Sequence, residues 1–321
     1  MIRLAAAELA VVLPTDHLAT IGETLAALRR QSVAHALELV IVAPPAAAIS
    51  PADVGGNFQA VHVVACGGID GAHWMHRARV AGVRRATAPV VAIGETHSYP
   101  EPGWAAAHLA AHRGTCAAVG TQMRNANPES VISWANLFVD FAPWVERAER
   151  GPTAGLPGHN SSYKREVLLA LGERLVEALA SETLLAEELL AAGHELFFEP
   201  AAATRHLNLA TPYWFLQRFD HDREWAVLRG RDWRLPRRAL YILGAPLIPF
   251  VRFARIYPDL RRAGRGGDLR LAVAVLLGLA AGAAGEAFGY ASRRVGRSAG
   301  RLHEVELHRE RFAGRRREPR A

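Results

Sequence analysis

"TAPVVAIGETHSYPEPGW", residues 87–104, decides how the rest of the chain is read. Val90-Val91-Ala92-Ile93 is a short apolar run with the character of a buried strand. It stops at Gly94-Glu95-Thr96-His97, and a Pro-rich turn and Trp104 follow. Residues i and i+2 of an extended chain point the same way. Glu95 and His97 therefore share one target: a metal ion, a substrate hydroxyl, or water.

Working outward, "ELAVVLP" (8–14) reads as a buried strand ended by proline. "TDHLATIGETLAALRRQ" then sets Leu18, Ile21, Leu25 and Leu28 at helical spacing, with Thr15 or Asp16 as N-cap. "LELVIVAPP" is a second strand and Val61–Ala65 a third. "AHWMHRARVAGVRRATA" is helical, and "PVVAIG" is the next strand. This order, with near-continuous apolar strands, predicts an α/β fold: a mostly parallel sheet with helices on both faces. Ligands of such sheets bind beyond the carboxyl ends of the strands. Pro14-Thr15 and Gly94–His97 both sit at such ends.

Farther on, "GWAAAHLAAH" predicts a helix and "TCAAVG" a strand, before an irregular region, "NANPESVISWANLFVDFAPW". "GLPGHNSSYKREVLLALG" is a loop leading into a helix. "SETLLAEELLAAG" is a helix closed by Gly193. "HELFFEPAAATRHLN" predicts a strand and a return that carries His206.

The net charge of +7 hides a division. From Arg229 to the end there are 21 arginines and 8 acidic residues, whereas residues 1–228 carry 17 basic and 23 acidic ones. The expected organisation is thus an acidic domain over 1–228 and a basic tail over 229–321. Two cysteines without metal-ligand spacing fit a reducing compartment, and the N-terminus lacks the pattern of a signal peptide. "LRLAVAVLLGLAAGAAGEAFGYA", residues 269–291, is long enough to cross a bilayer, and Gly278, Gly282 and Gly285 suit close helix packing. Arginines flank it on both sides, against a simple crossing. A span, a hairpin, an interfacial helix and a buried Ala-rich helix all remain open. Basic residues beside bilayer-length apolar runs point to a membrane and away from nucleic acid.

The series "AVVLPT", "TLAALRRQS", "LELVIV", "ARVAGVRRATAPVVAI" and the acidic cluster after it resembles the N-terminal half of family 2 glycosyltransferases, which have the GT-A fold. The resemblance covers roughly residues 8–210 and lies in an ordered series of weak motifs. It implies transfer of a sugar from a nucleotide-sugar donor, with inversion, aided by Mn²⁺ or Mg²⁺ on the donor diphosphate. It implies donor contacts from Pro14, Thr15, Asp16, Arg79 and Glu95, and metal ligation by Glu95, His97 and His206. Acceptor contacts fall to Trp104, His159, Asn160 and Ser161, and the catalytic base to Glu182 in "ASETLLAEELLAAG". The implied partners are a glycan or lipid-linked acceptor and a membrane, with the catalytic domain on the cytoplasmic side. The chain departs from the family pattern at three places. Ala43-Pro44-Pro45 replaces a base-contacting Asp, Val80 an Asn, and Thr183 an Asp. A catalytically silent GT-A domain serving as a membrane-bound assembly partner is the alternative.

Overall fold

The computed structural model describes residues 6–67, 74–179, 182–294 and 296–314, with the side chain of Glu182 outside the described set. The chain forms two compact units: residues 1–124 with 146–206, and residues 125–145 with 207–321. Residues 125–145 and 207–228 fall in the second of these units.

Along the chain the elements are β1 (Leu9–Pro14), α1 (Gly22–Arg29), β2 (Leu37–Ala43), α2 (Pro51–Val54), β3 (Ala60–Ala65), α3 (Trp74–Arg85), β4 (Val90–Ile93), β5 (Ser98–Pro100), α4 (Trp104–Ala111) and β6 (Ala118–Asn125). There follow α5 (Val131–Phe141), β7 (Gly151–Pro152), β8 (Ser162–Lys164), α6 (Arg165–Ala170), α7 (Leu175–Ala178), α8 (Glu182–Ala191) and β9 (Leu196–His206). The last five are α9 (Tyr213–Arg229), α10 (Leu235–Gly244), α11 (Ile248–Arg262), α12 (Leu269–Ser292) and α13 (Ser298–Leu307).

The first unit is built on one sheet in the order β3-β2-β1-β4-β8-β6-β9-β5. β3, β2, β1 and β4 run parallel. β8 turns the sheet antiparallel against both β4 and β6. Alternate residues of β1 and β2 (Leu9, Val11, Leu13, Leu37, Leu39 and Ile41) pack with Leu25 and Leu28 of α1 in one buried cluster. Each such fully buried leucine contributes about 1.5–3 kcal/mol relative to an exposed one. α3 covers the opposite face: a Cβ at Gly82 would come within 2.2 Å of Val12 Cγ1. Only a glycine lets this helix lie so close to β1.

A buried carboxylate sets up the strand that leads to the site. Glu38 on β2 accepts hydrogen bonds from Thr87 N (2.8 Å), Ala88 N (2.8 Å) and the Thr87 hydroxyl (3.0 Å). It fixes the turn that feeds β4.

Several expectations are corrected. The helix read from residue 15 begins as a 3-10 turn, Leu18–Ile21, and His17 caps it, with Nδ1 accepting from Ala19 N at 3.0 Å. Thr15 N bonds Val42 O at 2.9 Å and so continues the strand, and the cap falls two residues later, at His17. The region read as irregular contains α5, capped by Ser130 accepting from Ser133 N. "TCAAVG" overlaps a strand that starts at Ala118 and runs to Asn125. The predicted strand and return are one eleven-residue strand, β9, held by β7 at Phe197–Phe198 and by β5 at Thr204–His206.

In the second unit α12 lies along α9. A Cβ at Gly278 would meet Trp214 at 2.1 Å, at Gly282 Asp222 Oδ2 at 2.0 Å, at Gly285 Phe219 O at 2.1 Å, and at Gly289 Arg223 O at 2.5 Å. The glycine stripe read from the sequence is thus the surface on which α9 packs. Around α9 sits a chain of ion pairs. Arg218 bonds Asp222 and Asp140 (2.8 Å each), and Arg252 bonds Glu286 (2.5 Å) and Asp222 (3.3 Å).

Candidate active site

β4 ends beside the last residues of β1, with Ile93 paired to Val12 two residues before Pro14 closes that strand. Gly94 N extends the ladder to Val12 O at 2.9 Å. A Cβ at Gly94 would stand 2.5 Å from Leu13 Cδ2, so close packing of the strand ends requires glycine here. Thr96 and His97 then form a turn into β5. The Thr24 hydroxyl on α1 holds this turn through Glu95 O (3.0 Å) and Thr96 O (3.1 Å). Gln31 pins the far side, donating to Glu101 O (2.9 Å) and accepting from Ala105 N (3.0 Å).

The turn brings Glu95 and His97 together, although not as neighbours on an extended strand. His97 Nε2 lies 3.5 Å from Glu95 Oε2. His97 Nδ1 is 3.1 Å from the Thr96 hydroxyl, which orients the ring with Nε2 toward the carboxylate. β9 delivers the third member. His206 pairs with Ser98 across the β5–β9 ladder, and its Nε2 lies 3.8 Å from Glu95 Oε2. The two imidazoles meet edge to face at 5.0 Å between centroids. All three residues are buried, at 4 % exposure or less.

The donor set fits a divalent cation. One oxygen and two imidazole nitrogens, all within 4.8 Å of one another, converge on a single point. Ligands about 2.1 Å from a metal lie about 3–4.2 Å apart in octahedral geometry, and the two distances to Glu95 fall in that range. Carboxylate plus imidazole suits Mn²⁺ and its transition-metal neighbours better than Mg²⁺, which prefers oxygen alone.

The acceptor-side residues divide. His159 Nδ1 lies 2.5 Å from Glu95 Oε1, the carboxylate oxygen turned away from His97. Its contact is with the Glu95 carboxylate. Asn160, at φ +56°, donates to the Ser98 hydroxyl (2.8 Å), and its own N bonds Ile93 O (2.7 Å). Ser161 donates to Pro157 O at 2.5 Å. The Trp104 ring is fully buried, and its indole N–H donates to Asn160 O at 3.2 Å. These three side chains are consumed in fixing the loop that presents His159. The Trp104 ring has no exposed surface and packs edge to face on His108.

On the donor side, Pro14 closes β1. The Thr15 hydroxyl donates to His17 O at 2.9 Å, so its immediate task is the strand-end turn. Asp16 follows in the same turn, at the same edge of the sheet as Glu95. Arg79, buried on α3, reaches Leu179 O at 3.4 Å. Glu182 heads α8, but its side chain lies outside the described residues.

Behind the site is a feature the sequence did not announce. The Ser162 hydroxyl sits 2.6 Å from His108 Nδ1 and 2.8 Å from His112 Nε2. Burial pushes His108 down to about 3 and His112 to about 4, so both rings are neutral at physiological pH.

No family model and no curated protein matches the chain. Among solved structures it is similar to the mannosyltransferase PcManGT from Pyrobaculum calidifontis, solved with GDP-Man and Mn²⁺. Identity is 20% over 84% of this chain and 78% of that one, with a TM-score of 0.52. It also matches GalNAc-T7 solved with UDP, GalNAc and Mn²⁺ (13% identity, 62% of this chain and 43% of that one, TM-score 0.46). A third match is S. aureus TarS 1–349 (14% identity, 88% and 90%, TM-score 0.41). The likeness to PcManGT shows the fold, and the fold is GT-A.

Proposed function

We propose that the protein is a metal-dependent glycosyltransferase that moves a sugar from a nucleotide-sugar donor to a lipid-linked or cell-envelope glycan acceptor. One observation carries this reading: Glu95, His97 and His206 converge at the carboxyl end of a parallel strand in a GT-A fold. That edge is where ligands of parallel sheets bind. PcManGT, with the same fold, was solved with GDP-Man and Mn²⁺, which supports a nucleotide diphosphate sugar and a divalent cation here.

A cation bound by these three residues would neutralise the charge that develops on the leaving diphosphate. The chain's own residues do the rest. Thr96 orients His97, and His159 turns the Glu95 carboxylate so that Oε2 faces the two imidazoles. Such second contacts fix ligand geometry and are worth about 10–100-fold in metal affinity. In this reading Glu182 takes the proton from the acceptor hydroxyl, and the anomeric centre inverts. The basic second unit holds the enzyme at the cytoplasmic face of a membrane, where lipid-linked acceptors are met. Two of its helical stretches, 235–262 and 269–292, are long and apolar enough for that role.

Calorimetry with Mn²⁺ and a panel of nucleoside diphosphates tests the reading. Glu95→Gln and His97→Ala should each weaken metal-dependent nucleotide binding at least tenfold. Glu182→Gln should abolish transfer and leave that binding intact. Unchanged binding in both metal-site variants refutes the metal centre. Donor binding without transfer or hydrolysis in the wild type identifies a silent binding domain instead.

A further inference from the structure

We infer that residues 235–292 lie flat in the headgroup layer of an anionic bilayer, with the outer face of α10–α11 in the lipid, and do not cross it. The inference rests on the membrane association proposed above and names its geometry and lipid class.

α12 has the length to cross, because 24 residues of helix rise about 36 Å. Its packing argues against it. The stripe from Gly278 to Gly289 is covered by α9 from Trp214 to Arg223, roughly 14 Å of shared path. α9 carries Arg218, Asp220 and Asp222, each ion-paired: Arg218 to Asp140 and Asp222, and Asp220 to Arg301 at 2.6 Å. A crossing α12 would take this charged helix into hydrocarbon with it, and Glu286 as well. Each ionised side chain carried to mid-bilayer adds a heavy desolvation cost. The arginines on both flanks of α12 also oppose a single crossing.

The face that meets lipid is built mainly by α10–α11, with Leu269, Val273 and Leu277 of α12 also exposed. Leu240, Leu243, Leu247, Phe250 and Val251 recur at helical spacing, and their exposures run from 49 % to 80 %. The opposite side of α11 is spent inward: Pro249, Ile256 and Leu260 are buried, and Arg252 reaches Glu286. A continuous stripe of large exposed apolar side chains marks an interaction surface. Charge selects the occupant. Residues 229–270 hold eleven arginines and three aspartates, and Arg255, Arg261 and Arg270 are exposed along or beside the stripe. An apolar face edged by arginine is the signature of a helix lying in an anionic interface.

The test is made on the full-length chain, with Cys66 and Cys116 changed to Ser and single cysteines introduced at Gly267, between α11 and α12, and at Ala291. Gly267 has open space around its Cβ position, so the substitution is tolerated. Inside-out vesicles from expressing cells are treated with a membrane-impermeant maleimide. Both positions should be labelled from the same face as an exposed cysteine placed at Glu173 in the first unit. Gly267→Cys labelled only from the opposite face would show a hairpin, and Ala291→Cys there would show a single crossing; either overturns the inference. In flotation with purified protein, phosphatidylglycerol vesicles should be bound at least tenfold better than phosphatidylcholine vesicles. Phe250→Glu should remove most of that binding and leave nucleotide binding unchanged. A soluble dimer that ignores vesicles would assign the face to a second copy and overturn both the inference and the membrane association. Nucleotide binding without vesicle binding would leave the transferase reading standing and overturn this one alone.

Discussion

Mild acid should loosen the first unit through two histidines that do no chemistry. His108 packs its ring edge to face on Trp104 at 4.7 Å and sits 2.6 Å from the Ser162 hydroxyl, fully buried. Burial lowers it from 6.5 to about 3. The unfolded chain therefore takes up this proton below pH 6.5, and the folded chain does not until about pH 3. A group lowered on folding contributes stability that is present above its unfolded pKa and lost as pH falls. The loss is about 1.4 kcal/mol for each pH unit below 6.5. At pH 4.5 it reaches nearly 3 kcal/mol, a large part of the ~5–15 kcal/mol that holds a domain folded. His112, lowered to about 4 but partly open to solvent, adds a smaller amount in the same direction.

Urea denaturation of the full-length protein at pH 7.0 and 4.5 measures this loss, and His108→Asn isolates it. Asn keeps a polar atom near the position of Nδ1 but does not titrate. The variant should be less stable than wild type at pH 7. Between pH 6.5 and 4.5 it should lose roughly 2–3 kcal/mol less than wild type does. Equal losses in the two proteins would refute the reasoning. The site is coupled to this cluster, because Trp104 and Ser162 flank the loop that presents His159.

Three further predictions follow from particular contacts. Gly94→Ala places a Cβ 2.5 Å from Leu13 Cδ2; it should cost about 1–3 kcal/mol in denaturation and weaken metal binding by displacing Glu95. Glu38→Gln keeps one oxygen for the Thr87 and Ala88 amides but puts an N–H where Oε1 now accepts from Thr87 N at 3.0 Å, and should lower stability by roughly 1–3 kcal/mol without changing nucleotide affinity once folded. His159→Ala should weaken Mn²⁺ binding about tenfold, and His159→Asn, which offers an N–H near the position of Nδ1, should restore most of it; equal affinity in wild type and alanine variant, read by Mn²⁺ paramagnetic resonance, would remove His159 from the metal site.

The parallel half of the sheet was legible because its strands are unbroken apolar runs and its helices keep a 3.6-residue period. β1, β2, β4, α1 and α3 are signalled locally, by residues a few positions apart. The elements that escaped depend on partners far along the chain. β9 reads as a strand and a return because Pro200 interrupts it, yet β7 and β5 hold its two ends. The helix starts two residues later than read, capped by His17, because Thr15 still continues the strand through its bond to Val42 of β2. The candidate metal cluster was legible in two of its parts, Glu95 and His97, which stand two residues apart. The placement of His206 came only through family resemblance, since no local pattern shows that β5 and β9 pair at Ser98 and His206. The contact of His159 with Glu95, and those of Thr24 and Gln31 with the turn, span 64 to 74 residues and have no local signal.

The apolar tail shows the opposite problem, a strong local signal with more than one physical outcome. Hydropathy over residues 269–291 measures how much the segment avoids water, and protein and lipid both answer that need. What separates them is the pattern within the segment. Glycines at 278, 282, 285 and 289 fall near every fourth position and leave a groove where a polypeptide backbone can approach. Glu286 lies next to that groove, and a carboxylate in such a place needs a cation from a neighbouring element. Arg252 supplies it, and Asp222 faces Gly282 from α9. A helix that receives a charged neighbour along one side is apolar there for packing, while Leu269, Val273 and Leu277 elsewhere on it stay exposed with the leucines of α10–α11, and in the geometry proposed above these exposed side chains are the ones that meet the bilayer.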